Sequence, residues 1–224
     1  MRFFQSLVLL ASAASLQAYA VPIVTLHAAN LGIDSISVNV TGTTITIDEI
    51  WASDAPGFLE ISGLDAGVNY TVVKNITNNS AVPWTSLANE LLDPLGFGGD
   101  PFDVLPYPDF VPPGYSTSNN QDGLSFAQGS GLPRMSLVFP NLVVDETSDT
   151  RDFLDFSGGV LGIGEVDTVT YGLLDQNPDA NSPFLLSQRP NATSNVPTIG
   201  TFGLMVAGVL GLSVFGRRRT KTSA

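Results

Sequence analysis

The 224-residue chain contains no cysteine and a single histidine, His27. Without cysteine the protein cannot form a disulfide, a thiolate metal site or a cysteine nucleophile. A zinc site would lack its usual ligands, and a Ser-His-Asp triad would have to use His27 without an accompanying G-x-S-x-G sequence. These absences predict a protein that is not an enzyme, and a secreted glycoside hydrolase acting through two carboxylates is the least favoured alternative.

Basic residues are also scarce between residues 21 and 196, where the four that occur are Lys74, Arg134, Arg151 and Arg189. All 21 acidic residues lie in the same segment, so four positive against 21 negative charges leave it with −17. Nucleic acid is excluded as a partner, because its phosphates require a basic face. Such a charge favours solubility, cation binding and repulsion from other anionic surfaces.

The N-terminus has the layout of a secretory signal. Met1-Arg2 is followed by the apolar run Phe3–Leu16 and then by Ala18-Tyr19-Ala20. A charged start, an apolar stretch and a small-residue exit define a signal peptide, and the apolar run is short for a bilayer span. We therefore predict a signal peptide over residues 1–20, with Ala18 and Ala20 at the cleavage site.

The C-terminus has the layout of a membrane anchor. The run Ile199–Gly216 carries no charge, and Arg217, Arg218 and Arg219 follow it directly. An uncharged run of this length can span a bilayer as a helix, and basic residues behind such a helix stay in the cytoplasm. We predict a transmembrane helix at 199–216, a basic cytoplasmic tail at 217–224 and an exported remainder held at the cell envelope.

The exported part shows the two-residue period of β-strands. Ile36, Val38 and Val40 alternate with polar residues, and after a turn at Gly42 the alternation resumes. This pattern predicts a β-hairpin. Further short strands are predicted at Phe58–Ile61, Val68–Ile76, Met135–Phe139, Leu142–Val144, Phe153–Phe156, Val166–Leu173 and Phe184–Ser187. No segment between residues 21 and 196 sustains a helical period, and Trp84–Leu92 is the candidate there for one or two helical turns. Many short strands predict an all-β fold, an immunoglobulin-like or jelly-roll-like β-sandwich over 21–187.

The segment Leu64-Asp65-Ala66-Gly67-Val68-Asn69-Tyr70-Thr71-Val72 resembles the turn and strand of fibronectin type III and related immunoglobulin-like domains. The resemblance implies a tyrosine corner, in which the Tyr70 ring packs in the core. Its hydroxyl then bonds back to the preceding turn.

Residues 93–123 form a long stretch rich in proline and glycine, which excludes a long helix or a central strand there. Its aromatic residues are Phe97, Phe102, Tyr107, Phe110 and Tyr115. One interpretation is an irregular loop that lies over the sheet with its rings tucked in. The other is a ligand-facing loop whose rings stack on sugars. Further on, the polar residues 188–195 are predicted to be a linker.

Two dense groups of carboxylates are candidates for calcium, which takes about six to eight oxygen ligands. The first group is Asp145, Glu146, Asp149, Asp152 and Asp155, and the second is Asp100, Asp103 and Asp109. Neither group matches the D-x-[DN]-x-[DN]-G loop, and solvated turns between strands are the alternative interpretation. We predict no cofactor, with a calcium- or carbohydrate-binding module as the alternative function.

The end of the chain resembles a known sorting signal. The sequence Val196-Pro197-Thr198-Ile199-Gly200, the apolar run and the cluster Arg217–Arg219 together are similar to the PEP-CTERM signal and its IPTL-CTERM relative. The resemblance implies a sorting segment over 196–219 that an exosortase-type membrane enzyme recognises. It also implies a surface or extracellular-matrix protein of a Gram-negative bacterium, often associated with exopolysaccharide.

Overall fold

The computed structural model describes residues 21–95, 111–118, 122–145, 151–176 and 183–191, all within one compact unit that ends at Asn191. The described residues form strands and no helix. The strands are β1 (Ile23–Leu26), β2 (Ile33–Thr41), β3 (Thr44–Trp51), β4 (Gly57–Ser62), β5 (Asn69–Asn78), β6 (Trp84–Pro94), β7 (Tyr115–Thr117), β8 (Leu124–Ser125), β9 (Met135–Ser136), β10 (Asn141–Asp145), β11 (Phe153–Leu161), β12 (Val166–Asp175) and β13 (Phe184–Pro190).

The strands form two sheets. The seven-stranded sheet has the order β1-β4-β13-β6-β11-β10, and β7 pairs with the end of β6. The six-stranded sheet has the order β2-β3-β5-β12-β8, and β9 also pairs with β12. Neighbouring strands are antiparallel except β3 and β5, which are parallel. One continuous core takes buried side chains from both sheets, so the all-β prediction is confirmed and the architecture is sandwich-like.

Alternation along the strands builds this core. In β5 every second residue is buried, from Tyr70 through Asn78. The indoles of Trp51 on β3 and Trp84 on β6 meet edge to face across the two sheets, with ring centroids 5.2 Å apart. Gly32 and Gly57 make room for Trp51, because an added Cβ would lie 2.5 Å and 2.4 Å from its ring atoms.

The predicted tyrosine corner is present at the start of β5. The Tyr70 ring is fully buried, and its hydroxyl oxygen accepts a hydrogen bond from the Asp65 backbone N–H at 3.1 Å. Gly67 in the same turn has a φ of +73°, which side chains rarely tolerate. The hydroxyl thus fixes the turn that leads into the middle of the six-stranded sheet.

The helical turns predicted at Trp84–Leu92 are wrong, because this segment is the central strand β6. Both of its faces are covered. Leu87 and Leu91 pack in the inter-sheet core, while Leu92 packs on the opposite face with Phe58 and Leu185. A strand buried on both sides reads as a continuous apolar run, which periodicity does not distinguish from a buried helix.

Two further boundaries differ from the sequence prediction. Gln188–Pro190, assigned to the linker, continue β13 and are buried because they pair with β6. The strand predicted at Met135–Phe139 is only Met135–Ser136, after which Leu137 and Val138 turn so that their N–H groups bond Asp167.

The described part of the predicted 93–123 loop follows the covering interpretation. Val111 and Tyr115 pack on the cluster formed by Phe58, Leu92 and Leu185. The signal peptide at 1–20 and the anchor at 196–219 lie outside the described residues, as do residues 96–110. In the part of the chain that is described, no helix is long and apolar enough to cross a membrane.

Candidate functional site

Four polar side chains meet in the middle of the core and are fully buried there: Glu49, Lys74, Asn89 and Gln188. We call this set the core network. Strand alternation places its members. Lys74 lies between Val72 and Ile76 on the buried face of β5, and Glu49 is on the neighbouring strand β3. Asn89 and Gln188 come from the other sheet.

Asn89 on β6 and Gln188 on β13 are direct cross-strand partners. Cross-strand partners point to the same face of a sheet, which here is the inner face. The two amides are therefore presented side by side to the Lys74 amine, which comes from the opposite sheet. A lysine thus stands between an acid on its own sheet and two amides on the other.

The hydrogen bonds of the core network converge on Lys74 and Glu49. The Lys74 Nζ donates to Asn89 Oδ1 at 2.9 Å and also to Gln188 Oε1. Glu49 Oε1 lies 3.7 Å from Lys74 Nζ and accepts a hydrogen bond from Gln188 Nε2 at 3.1 Å. The second Glu49 oxygen accepts from the Trp51 indole N–H at 2.9 Å. One carboxylate therefore contacts both the lysine amine and the Gln188 amide nitrogen.

Burial controls the electrostatics here. Desolvation lowers the pKa of the Lys74 ammonium, and the negative charges of Glu49 and Asp167 oppose that shift. The Tyr171 ring lies 5.7 Å from Lys74 Nζ, and burial raises the pKa of its phenol well above the ordinary value. The core network is a dry site in which a lysine is held toward its neutral form.

A second charged set lies on the outer face of the seven-stranded sheet. Glu90 accepts hydrogen bonds from Arg151 Nε at 2.7 Å and from Arg189 at 2.9 Å. The Arg151 guanidinium also stacks 4.3 Å from the centroid of Phe153. We call Glu90, Arg151 and Arg189 the outer network. Nearby, burial raises the pKa of Asp155 to about 6, although both arginines act to lower it.

A third set, the acidic group, consists of Asp93, Asp122, Asp152 and Asp175. Burial raises the pKa of Asp93 to about 9, and a hydrogen bond with Asp122 and the charges of Asp122, Asp175 and Asp152 add to this rise. No basic side chain contributes to the shift. Asp93 is therefore a protonated acid at neutral pH.

Serine hydroxyls accompany the acidic group. Ser116 is the cross-strand partner of Asp93, and its buried Oγ has no hydrogen-bond partner, nor does Asp93 Oδ2. Ser118 Oγ donates to Asp152 Oδ2 at 2.8 Å. A cavity of about 180 Å³ is lined in part by Asp152 and Gln176. The group is thus rich in hard oxygen atoms.

Of the two acidic clusters predicted from the sequence, the structure describes the side chains of Asp152 and Asp155, and it places them in different surroundings. Asp152 joins the acidic group, whereas Asp155 lies near Arg151 and Arg189 on the outer face. The side chains of Asp145, Glu146 and Asp149 lie outside the described residues, as do Asp100, Asp103 and Asp109. Among the residues that are described, no three His, Cys, Asp or Glu side chains are arranged to hold a metal ion.

His27, the single candidate for a triad, has a local role in the structure. Its Nδ1 accepts a hydrogen bond from the Ala29 N–H at 3.2 Å, and its ring meets Tyr115 edge-on at 5.5 Å. The first contact lies within the turn between β1 and β2, and the second joins that turn to β7. The histidine therefore supports the loop that covers the outer face.

Sequence reasoning missed the core network, although one signal was available. Lys74 occupies an inward position in the alternation Tyr70, Val72, Lys74, Ile76. A lysine at such a position is rarely buried without a partner. The partners Asn89 and Gln188 carried no comparable signal, because neither of their segments was recognised as inner strand. No protein-family model, curated protein or solved structure matches this chain.

Proposed function

We propose that this chain is a non-enzymatic, exported surface or extracellular-matrix protein, sorted by its PEP-CTERM-like C-terminal segment and associated with exopolysaccharide. The observation that carries the proposal is where the charges lie. Of the four basic residues between 21 and 196, Lys74, Arg151 and Arg189 are buried. The fourth, Arg134, is half-buried and donates to the Phe126 carbonyl.

Buried cations leave an anionic exterior. The acids of this segment outnumber its basic residues, and the basic residues are engaged inside the fold, so the exposed charge is negative. Such a surface stays hydrated and repels other anionic surfaces. Divalent cations can then bridge it to acidic polysaccharide. These properties suit a matrix component better than an enzyme that must gather an anionic substrate.

The ends of the chain supply the location in this proposal. Residues 1–20 direct export, and 199–216 form the membrane helix with Arg217–Arg219 on the cytoplasmic side. An exosortase-type enzyme is the expected processing partner for Val196–Gly200. The exported part is an immunoglobulin-like or jelly-roll-like sandwich whose tyrosine corner at Tyr70 supports that assignment.

Cell fractionation of the full chain tests the proposal. We expect the protein in the envelope or matrix fraction, with residues 1–20 removed. A matched variant in which Arg217, Arg218 and Arg219 become glutamine should lose its defined orientation, because the positive-inside signal is gone. Recovery of the unprocessed wild-type chain in the soluble cytoplasm would refute the proposal.

Calcium binding at the acidic group is the second candidate function. The buried Ser116 Oγ and Asp93 Oδ2, on cross-strand partners, favour it, because two buried oxygens without a partner are costly unless something binds them. The ion would require Asp93 to ionise and the carboxylates to turn toward it. Calcium should therefore raise the melting temperature more at pH 8 than at pH 6, and the Ser116→Ala variant should show less of the effect. An equal melting temperature with and without calcium at both pH values would exclude this role.

A further inference from the structure

We propose that Lys74 and Gln188 become joined by an intramolecular isopeptide bond, formed by the folded protein itself with Glu49 as the proton-transferring residue. The reacting groups are an amine and a carboxamide, and both are fully buried in the core network. The bond would connect β5 of one sheet to β13 of the other.

The first support is proximity. Lys74 Nζ is hydrogen-bonded to the Gln188 carbonyl oxygen, so the amine already lies against the group that it would attack. Holding the two reactants together inside a rigid core replaces an improbable encounter by a local rearrangement. The fold supplies this contact between residues that are 114 positions apart in the chain.

The second support is the position of Glu49. Its Oε1 lies 3.7 Å from the lysine amine and 3.1 Å from the Gln188 amide nitrogen. That oxygen is thus hydrogen-bonded to the leaving group and at ion-pair distance from the nucleophile, so a small side-chain movement brings it within hydrogen-bond reach of both, as a proton-transferring acid requires. The Trp51 indole holds the other oxygen, which fixes the orientation of the carboxylate.

The third support is the dry surroundings. Lysine is a nucleophile only as the neutral amine, and desolvation favours that form. Tyr171 and the edge-to-face pair Trp51 and Trp84 are fully buried in the same core. Water that would compete for the amide or solvate the ammonium is therefore kept away.

The reaction balances without any external reagent. The ammonium of Lys74 first gives a proton to Glu49, and the neutral amine attacks Cδ of Gln188 to form a tetrahedral carbon. Glu49 delivers a proton to the amide nitrogen and accepts one from the attacking nitrogen as the intermediate collapses. The new bond is Nζ–Cδ, the broken bond is Cδ–Nε2, and ammonia leaves. No atom is oxidised or reduced.

Asn89 is a positioning residue in this scheme. Its Oδ1 accepts a hydrogen bond from Lys74 Nζ at 2.9 Å, but its Nδ2 has no hydrogen-bond partner. A leaving amide nitrogen needs a proton donor, and Glu49 contacts the nitrogen of Gln188. The geometry therefore selects Gln188 as the acceptor and leaves Asn89 to direct the amine.

Mass spectrometry of the full chain tests the proposal directly. The folded protein should be lighter than its sequence by one ammonia, after allowance for removal of residues 1–20. Proteolysis should yield one branched peptide that joins the segment around Lys74 to the segment around Gln188. Unlinked peptides from protein with a cooperative unfolding transition would overturn the proposal. A branch at Asn89 instead would overturn the choice of acceptor.

Variants separate chemistry from folding. Glu49→Gln keeps the size of the side chain and a carbonyl that can accept from Trp51, but it cannot transfer protons. We expect this variant to fold, as judged by its near-ultraviolet circular dichroism. Its mass should equal that calculated from its sequence, without the loss of ammonia. Lys74→Arg should likewise show no loss of ammonia. Asn89→Ala should still form the cross-link, but more slowly. Complete linkage in Glu49→Gln would remove Glu49 from the mechanism.

Discussion

The two faces of the seven-stranded sheet bury charge in different ways. Along β6, Asn89 faces inward and Glu90 outward, and along β13, Gln188 faces inward and Arg189 outward. The inner face meets a lysine from the other sheet, while the outer face uses arginines. Successive residues on the same two strands therefore face two different chemical environments.

The difference lies in what each cation can do. Arginine stays protonated in proteins, and its planar group forms directed bonds to a carboxylate. The outer network is therefore a structural ion pair, with Glu90 held between Arg151 and Arg189. A buried lysine can lose its proton and become a nucleophile. Only the inner face therefore combines a reactive amine with amides and an acid.

Among the substitutions that test this difference between the faces, Lys74→Met should cause the largest loss of stability. Removing the lysine prevents the proposed cross-link and leaves the Glu49 carboxylate buried without the cation that it has in the unlinked chain. Breaking a buried pair in this way costs about 3–5 kcal/mol. We expect a loss of that size in the free energy of unfolding, measured by urea denaturation.

A double variant is the control for this prediction. Lys74→Met combined with Glu49→Gln removes the unpaired charge, so it should recover part of the lost stability. If adding Glu49→Gln to Lys74→Met lowers stability as much as Glu49→Gln alone does, Glu49 and Lys74 are not coupled.

The matching change on the outer face is Arg189→Met, and its effect should be smaller. Glu90 loses the 2.9 Å bond to Arg189 but keeps the 2.7 Å bond to Arg151. A hydrogen bond to a charged group contributes about 1.5–3 kcal/mol, and we expect a loss of roughly 2 kcal/mol. The loss of one ammonia that marks the proposed cross-link should still occur in this variant. A loss equal to that of Lys74→Met would contradict the distinction between the faces.

Sequence predicted the strands with alternating burial and also a strand at Phe184–Ser187, which is buried on both faces, but it missed β6. The hairpin of β2 and β3 followed from alternation and its turn residue, and the corner at Tyr70 followed from the resemblance to fibronectin type III domains. Strand β6 did not, because burial on both faces removes the alternation. The parallel pairing of β3 with β5 also left no local signal, since it depends on contacts between separate segments.

The candidate site was harder to predict for the same reason. Lys74 had a signal in its inward position along β5, but the other three members of the core network are ordinary polar residues in their own segments. The network exists only because Glu49, Asn89 and Gln188 reach Lys74 from three other strands. The acidic group likewise collects Asp93, Asp122, Asp152 and Asp175 from distant positions. Of these four residues, only Asp152 belonged to a cluster of neighbouring acids predicted from the sequence.

The pH dependence of stability tests the inner face through the carboxyl of Asp93, which points to the inner face of β6. Its pKa rises to about 9 in the fold, so the folded state keeps a proton that the unfolded chain releases near pH 4. The free energy of unfolding should therefore fall as pH rises from about 4 to 9. Asp93→Asn should remove this decline and stabilise the protein at pH 8 by roughly 1–2 kcal/mol, because the asparagine side chain stays neutral in the buried site at every pH.

Urea denaturation at pH 5 and pH 8 checks the prediction. The wild type should be less stable at pH 8, and Asp93→Asn should narrow the difference. Ser116→Ala serves as a control in which the carboxyl remains. If the stability of Asp93→Asn falls with pH as steeply as that of the wild type, Asp93 is not the titrating group.

The smallest effect is expected for Asp155 on the outer face. Burial raises its pKa to about 6, because Arg151 and Arg189 offset only part of the desolvation. The folded state again holds the proton more tightly, so Asp155 lowers stability as pH rises from about 4 to 6 and has no further effect above that window. Asp155→Asn should stabilise the protein by less than about 1 kcal/mol, and the gain should be complete by pH 7. If Asp155→Asn gained further between pH 7 and pH 9, as Asp93→Asn should, the arginines would not be moderating the outer face. The two faces would then not differ in how they treat an acid.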